Sequence, residues 1–258
     1  VFHAAGIGVG LSGSTVLLRE RAVDAVEEMD LPDCDPARLA RTYAQFAVVN
    51  RVVAGWRSLY RTQLRPRLSP GSTTTLLDIG CGGGDVDVLL SRWASRDGRR
   101  LAITAIDPDP RAIRFAQERR SSAGITFRQA AASELVREGQ SYDLVLSNHV
   151  LHHLTPDELQ AFLAESAALC HGKVIHNDLR RSPAAYALFF AGARAFTGSY
   201  IRRDGLTSIR RSYTAAELGS AAPPGWVVAR HCPYRNLLML DRTGSDAAAV
   251  RDGTPAGG

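Results

Sequence analysis

The strongest constraint on this chain is an alternation. Five short apolar runs, "TLLDIG" (75–80), "LAITAID" (101–107), "GITFRQ" (124–129), "YDLVLSN" (142–148) and "GKVIHND" (172–178), are separated by stretches with helical features. After the first run, Val86, Leu89, Leu90 and Trp93 recur at three- and four-residue steps, which puts them on one helix face. Asp109 before Pro110 reads as an N-cap with proline at the first helical position. Thr155 with Glu158 and Thr214 with Glu217 read as capping boxes, and Ser182-Pro183 starts another helix. Repeated β–α units demand a mostly parallel sheet covered by helices on both faces. "WVVARHC" (226–232) and "RNLLMLDR" (235–242) meet at "PYR" and predict an antiparallel hairpin, for seven strands in all. Such a sheet binds ligands at the carboxyl ends of its strands, near the point where strand order reverses.

Before the alternation, Leu39, Tyr43, Phe46, Val49, Val53, Trp56 and Tyr60 follow steps of three and four, predicting one long or two shorter amphipathic helices. Core packing is the plain expectation for this stripe. The first stretch, "VFHAAGIGVGLSGSTVLL", lacks the basic start of a signal peptide, and its Gly6, Gly8 and Gly13 follow no clear strand.

The 258 residues, 45% hydrophobic and 22% charged, suffice for one domain with a sizeable core. The net charge of +5 comes from scattered arginines, with Lys173 the only lysine. No basic stripe interleaved with aromatics occurs, so no nucleic-acid partner is expected. Cys34, Cys81, Cys170 and Cys232 form no CxxC, as for buried thiols in a reducing, cytoplasmic setting. No run is apolar enough to predict a membrane span. Nothing in the sequence indicates an oligomeric state.

The loop "LLDIGCGGGDV" turns from the first strand into the first helix. Gly80, Gly82 and Gly84 let the backbone turn sharply and approach a ligand without Cβ interference. Asp85 stands where a dinucleotide loop needs its last glycine, and a phosphate loop's G-K-[ST] is absent. Asp78 and Asp85 make the rim acidic, which suits a cationic ligand better than a pyrophosphate. Asp107, at the end of the second strand, is placed to accept hydrogen bonds from two ribose hydroxyls.

Together, "LLDIGCGGGDV", "AIDPDP" and "YDLVLSNHVLHHL" resemble the motifs of class I S-adenosylmethionine (SAM)-dependent methyltransferases, in matching order over roughly residues 71–240. "SNHVLHHL" is most similar to the small-molecule branch that includes ubiquinone/menaquinone-type and secondary-metabolite enzymes. The resemblance implies a Rossmann-like fold with SAM as methyl donor and S-adenosylhomocysteine as product. It implies that Gly80–Gly84 pass around the methionine part of SAM, that Asp107 holds the ribose, and that Pro108 lies against the adenine. Asp78 and Asn148 complete the expected cofactor set. The sequence departs from the family at Ala130, Ala131 and Ala132, where an acidic residue often contacts the adenine amino group; Ser133 or backbone groups are the available substitutes.

On this reading residues 1–28 are a poorly ordered extension, 29–70 a helical cap, and 71–243 the SAM-binding domain, with a substrate-side insertion at about 180–213 serving as a helical lid. Residues 244–258 are expected to be a disordered tail. Methyl transfer from a sulfonium needs alignment, and a hydroxyl acceptor also needs a base. His149 and His153 are the expected candidates. Tyr43, Asn50, His152, His176, Asp178 and Arg180 are the expected acceptor contacts; Arg180 and Arg181 either bind the acceptor or pair with acids such as Asp204. A zinc reading would draw on His149, His153 and His176, and a magnesium reading on Asn148, Asn177 and Asp178; no metal is expected. The acceptor class is a small aromatic, phenolic or quinone-like metabolite, with oxygen favoured over carbon as the methylated atom. RNA or protein methylation, or a non-catalytic SAM-fold binding protein, are the alternatives.

Overall fold

The computed structural model describes residues 18–52, 54–120 and 122–242. Strands β1 (Thr73–Ile79), β2 (Arg100–Asp107), β3 (Ile125–Gln129), β4 (Tyr142–Asn148), β5 (Cys170–Leu179), β6 (Val227–His231) and β7 (Arg235–Asp241) form one sheet in the order β3-β2-β1-β4-β5-β7-β6. The first five run parallel, and β7 pairs antiparallel with both β5 and β6. This is the expected seven-stranded, mostly parallel, Rossmann-like sheet with its terminal hairpin. Strand order reverses between β1 and β4, which opens a crevice above their carboxyl ends.

Nine α-helical segments occur among the described residues: α1 (Pro36–Val52), α2 (Trp56–Leu59), α3 (Asp85–Arg96), α4 (Pro110–Arg120), α5 (Ala132–Arg137), α6 (Pro156–Ala168), α7 (Pro183–Gly192), α8 (Ile201–Arg211) and α9 (Ala215–Ala221). The starts of α4, α6, α7 and α9 are those that the capping chemistry predicts. Thr155 and Thr214 accept from the backbone N–H three residues on, with Glu158 and Glu217 reaching back, and Ser182 accepts from the Ala185 N–H. Asp109 accepts from the Arg111 N–H at 2.8 Å. Each such cap satisfies a donor the helix leaves orphaned and stabilises it by about 1 kcal/mol.

Side chains alternate along each strand, and both faces are covered. Leu76, Leu144, Leu146 and Ile175 enter one core with Leu90, Ile113 and Trp56; Leu77, Val145 and Val174 enter the other with Leu135, Leu159 and Leu163. Burial on both faces makes the strands near-continuous apolar runs. Each fully buried leucine contributes about 1.5–3 kcal/mol.

The N-terminal stripe forms two helical stretches, broken near Ala54–Gly55, the second continuing through a π-helical turn at Tyr60–Leu64. Its two halves have different destinations. Trp56 and Tyr60 are core, as expected, whereas Phe46 and Val49 line a cavity. Val53 lies outside the described residues.

The expected boundary at Met29 needs correction. Residues 18–28 pack on the insertion: Leu18 and Glu27 are buried, and the Ala22 N–H donates to the Arg210 carbonyl at 3.0 Å. The segment has little apolar periodicity, and arginines hold its backbone. Arg181 donates to the carbonyls of Leu18 and Arg19, and Arg211 to that of Ala25. Residues 1–17, with Gly6, Gly8 and Gly13, and the tail 243–258 lie outside the described residues.

Candidate active site

A cavity of about 760 Å³ lies over the carboxyl ends of β1, β2, β4 and β5 and reaches under α7 and α8. At one end stands the glycine loop. The N–H groups of Gly80 and Cys81 both donate to the Ile106 carbonyl, at 2.8 and 3.0 Å, tying the loop to β2. The Gly82 N–H donates to Asp107 Oδ2 at 2.9 Å, and the Asp109 N–H to Oδ1 at 2.9 Å. Asp107 is thus aimed by the loop it faces. Gly82 and Gly84 have distinct roles. Both have left-handed backbone, φ 51° and 71°. A Cβ on Gly82 would meet nothing within 4 Å, so its face is open, whereas one on Gly84 would lie 2.5 Å from the Phe127 ring. Gly84 serves close helix packing and does not line the cavity, contrary to the expectation of a cofactor contact. Gly80, Gly82, Asp78, Asp107, Pro108 and Asn148 do line it.

The rim is less anionic than its aspartates suggest. Burial, then the charge of the buried Asp87, pushes the Asp78 carboxyl well above the usual range. Burial likewise raises Asp85, whose Oδ2 accepts from Asn50 Nδ2 at 3.0 Å. Asn50 Oδ1 in turn accepts from Asn148, and Asn148 Oδ1 from Asn177. Asn50 therefore ties α1 to the loop helix and to β4, and both ends of its amide are engaged. Tyr43 lines the cavity with its ring 5.3 Å from that of Phe115.

The histidine-rich turn after β4 supplies the middle of the cavity. His149, His152 and His153 all line it, but in three different states. His149 has a positive φ of 62°, and its Nε2 accepts from Arg235 Nη1. Desolvation, then the Arg235 charge, holds it well below the ordinary histidine range, so it is neutral with the proton on Nδ1. Its Nε2 lone pair is engaged and cannot act as a base while that contact lasts.

His152 is buried between two carboxylates. Asp178 Oδ1 lies 2.7 Å from its Nδ1, Asp178 Oδ2 accepts from its backbone N–H at 2.8 Å, and Glu27 Oε1 stands 3.4 Å from its Nε2. Burial opposes the charged ring, but Asp178 and Glu27 outweigh it and raise His152 to about 9. Burial is likewise outweighed at Asp178, which His152 brings down to about 2. Asp178 is therefore a partner of His152, not the acceptor contact expected from sequence, and it does not line the cavity.

His153 is half-buried. Asp30 Oδ2 lies 3.3 Å from its Nδ1, and Glu27 Oε1 stands 3.9 Å from its Nε2. Arg211 fixes the turn by donating to the carbonyls of His152 and His153. The ligand atoms of Glu27, His152 and His153 lie within 4.8 Å of one another, close enough to hold a metal ion. That trio differs from both metal sets considered from sequence.

His176 faces away from the cavity. Its ring stacks on Trp226 at 5.5 Å, its Nδ1 lies 2.8 Å from Ser147 Oγ, and burial lowers it to about 3. It is a neutral core histidine, and its expected acceptor role is corrected. Arg180 does not line the cavity either; its guanidinium carbon lies 5.7 Å from the centroid of the Tyr234 ring. Arg181 pairs with Glu217, while Asp204 accepts from the Glu28 and Met29 N–H groups. Sequence reasoning missed Glu27, Asp30 and Arg235, which occupy no motif; only the chain's return over the cavity reveals them.

The His152 environment makes a stability prediction. Its folded value of about 9 exceeds the ordinary 6.5, so the pairing contributes fully below about pH 6.5 and is lost as pH rises through about 9. Urea unfolding is expected to show stability falling over that window, with most of the step absent in His152→Asn. A wild-type stability unchanged between about pH 6 and 10 would contradict this assignment.

Residues 76–172 match the family model described as a methyltransferase domain, and that span covers β1 to the start of β5. Over this span the chain is similar to a methyltransferase domain. Human N-acetylserotonin methyltransferase, solved with SAM, superposes on 90% of this chain and 65% of its own with a TM-score of 0.59 at 14% identity. The plantazolicin methyltransferase BpumL, solved with a pentazolic desmethylPZN analogue and S-adenosylhomocysteine, covers 89% of this chain and 98% of its own, with a TM-score of 0.56 at 12% identity. In sequence, the chain is similar to the ubiquinone biosynthesis O-methyltransferase of Methylobacterium nodulans, 30% identical over 179 residues, 68% of this chain and 64% of that protein. The chain spans about half to two thirds of the length of the curated relatives it matches. No helix among the described residues is long and apolar enough to cross a membrane.

Proposed function

We propose that the protein transfers a methyl group from SAM to a hydroxyl oxygen of a small acceptor with a flat, apolar body, phenolic or quinol-like. The observation that carries this reading is the shared cavity: the Gly82–Asp107 end opens into the same space as the His152–His153 turn and the apolar residues of α7 and α8. The open face of Gly82 and the carboxylate of Asp107 fit a nucleoside bearing a sulfonium arm. SAM supplies an already activated methyl group, so the protein has to align the acceptor and receive its proton. Asp107 would accept from the ribose hydroxyls of the bound cofactor, and Pro108 would lie beside its base. Leu188, Phe189, Ile201 and Ile209 cover the acceptor body and exclude water. His153 receives the acceptor proton at Nε2 while Asp30 orients the ring through Nδ1. The names of the ubiquinone-biosynthesis relatives agree with oxygen as the methylated atom.

Incubating the protein with methyl-labelled SAM and a panel of phenols is expected to yield methyl ethers; label appearing only on ring carbon would overturn the choice of oxygen. A second reading rests on Glu27, His152 and His153. Both histidines turn Nε2 toward Glu27 and have Nδ1 backed by a carboxylate, the usual support of a metal-bound imidazole. Chelation decides between the two: turnover surviving exhaustive treatment with EDTA supports the metal-free base, and loss restored by a divalent ion supports the metal.

A further inference from the structure

We infer that Arg235, backed by His149, reads a carboxylate on the acceptor, so that the preferred substrates are hydroxylated aromatic acids. The inference rests on the cavity being the acceptor site, as proposed above. Arg235 opens β7, opposite Leu179 at the end of β5. It is 2% exposed and lines the cavity. Its Nη1 donates to His149, while its Nε has no partner. No carboxylate among the described residues forms an ion pair with it. Asp178, the acid whose charge it feels, has both oxygens engaged, by His152 and by the Leu179 N–H.

A guanidinium presents five N–H donors in a planar fork that matches a carboxylate. Burying that charge with a neutral histidine as its visible partner is unfavourable unless an anion completes the pair. Burial lowers Arg235 to about 10, which leaves it cationic at neutral pH. His149 contributes in two ways: its Nε2 fixes one arm of the fork, and its Nδ1–H is a further donor. Its positive φ, uncommon for a residue with a side chain, is the kind of backbone strain that gathers at functional sites.

The anion could come from the acceptor or from the amino-acid end of the cofactor. Position favours the acceptor. The glycine loop, expected around the methionine part, follows β1, and Arg235 begins β7, three strand steps away in the sheet. At strand spacing that is about 14 Å. Arg235 thus stands beyond the histidine turn from the glycine loop, next to Pro233 and Tyr234.

The test is calorimetric binding of 2-hydroxybenzoate and its methyl ester to the full chain saturated with S-adenosylhomocysteine. The acid is expected to bind about 10- to 100-fold tighter than the ester. In Arg235→Met the preference should vanish while S-adenosylhomocysteine affinity stays unchanged, and Arg235→Lys should keep part of it. Equal wild-type affinity for acid and ester would overturn the inference without requiring any variant to fold. So would an Arg235→Met protein that loses S-adenosylhomocysteine affinity but keeps the acid preference, which would assign Arg235 to the cofactor. Acid binding with no methyl transfer to any hydroxyl would instead sink the methylation reading and leave the anion site standing.

Discussion

Replacing Asp107 with alanine is expected to weaken SAM binding by about 10²- to 10⁴-fold, the equivalent of two hydrogen bonds to a charged acceptor at about 1.5–3 kcal/mol each. The carboxylate has two tasks at once. It accepts from Gly82 and Asp109, which sets the loop, and it retains lone pairs for the ribose. Asp107→Asn separates them, because an amide keeps one acceptor oxygen but places donors where the other N–H points. Calorimetry with SAM should therefore rank wild type above Asp107→Asn, and Asp107→Asn at or above Asp107→Ala. Affinity within about threefold of wild type in Asp107→Ala would reject Asp107 as the ribose contact.

Removing the base should act on rate and spare binding. His153→Ala is expected to lower kcat by about 10²- to 10⁴-fold, the usual contribution of a positioned general base, with SAM affinity unchanged. Asp30→Asn should lower it less, since it loosens the ring's orientation and leaves Nε2 in place. The pH profile gives a sharper signature. Without His153, turnover should climb toward the acceptor's own ionisation, near pH ~10 for a phenol, because solvent must then take the proton. His149→Ala should change turnover less than His153→Ala, since its Nε2 is held by Arg235. Wild-type kcat in His153→Ala would remove the histidine from the mechanism.

The fold was legible because its determinants are local. Strand and helix periods, the caps at Thr155, Ser182 and Thr214, and the glycine spacing act over a few residues each, and the structure repeats them nearly residue for residue. The glycine-loop end of the cavity was legible for the same reason: Gly80, Gly82 and Asp107 sit at strand ends whose position follows from the β–α order. The histidine end was not. His149, His152, His153 and His176 look alike in a sequence, yet the structure makes one an arginine-bound neutral ring, one paired with buried carboxylates, one half-open and one a core residue. Nothing in the spelling "SNHVLHHL" distinguishes them, because the partners that do are 86, 26 and 123 positions away at Arg235, Asp178 and Asp30.

By itself, then, the sequence determined the alternation of strands and helices and the edge of the sheet that carries the glycine loop and Asp107, since periodicity, capping and glycine spacing are short-range. Only the tertiary structure decided which partner each histidine takes, that Glu27, Met29 and Asp30 help wall the cavity, and that Arg235 is buried against it beside His149. Those outcomes depend on burial and on charges brought together from distant parts of the chain, and both are set only once the chain has closed on itself.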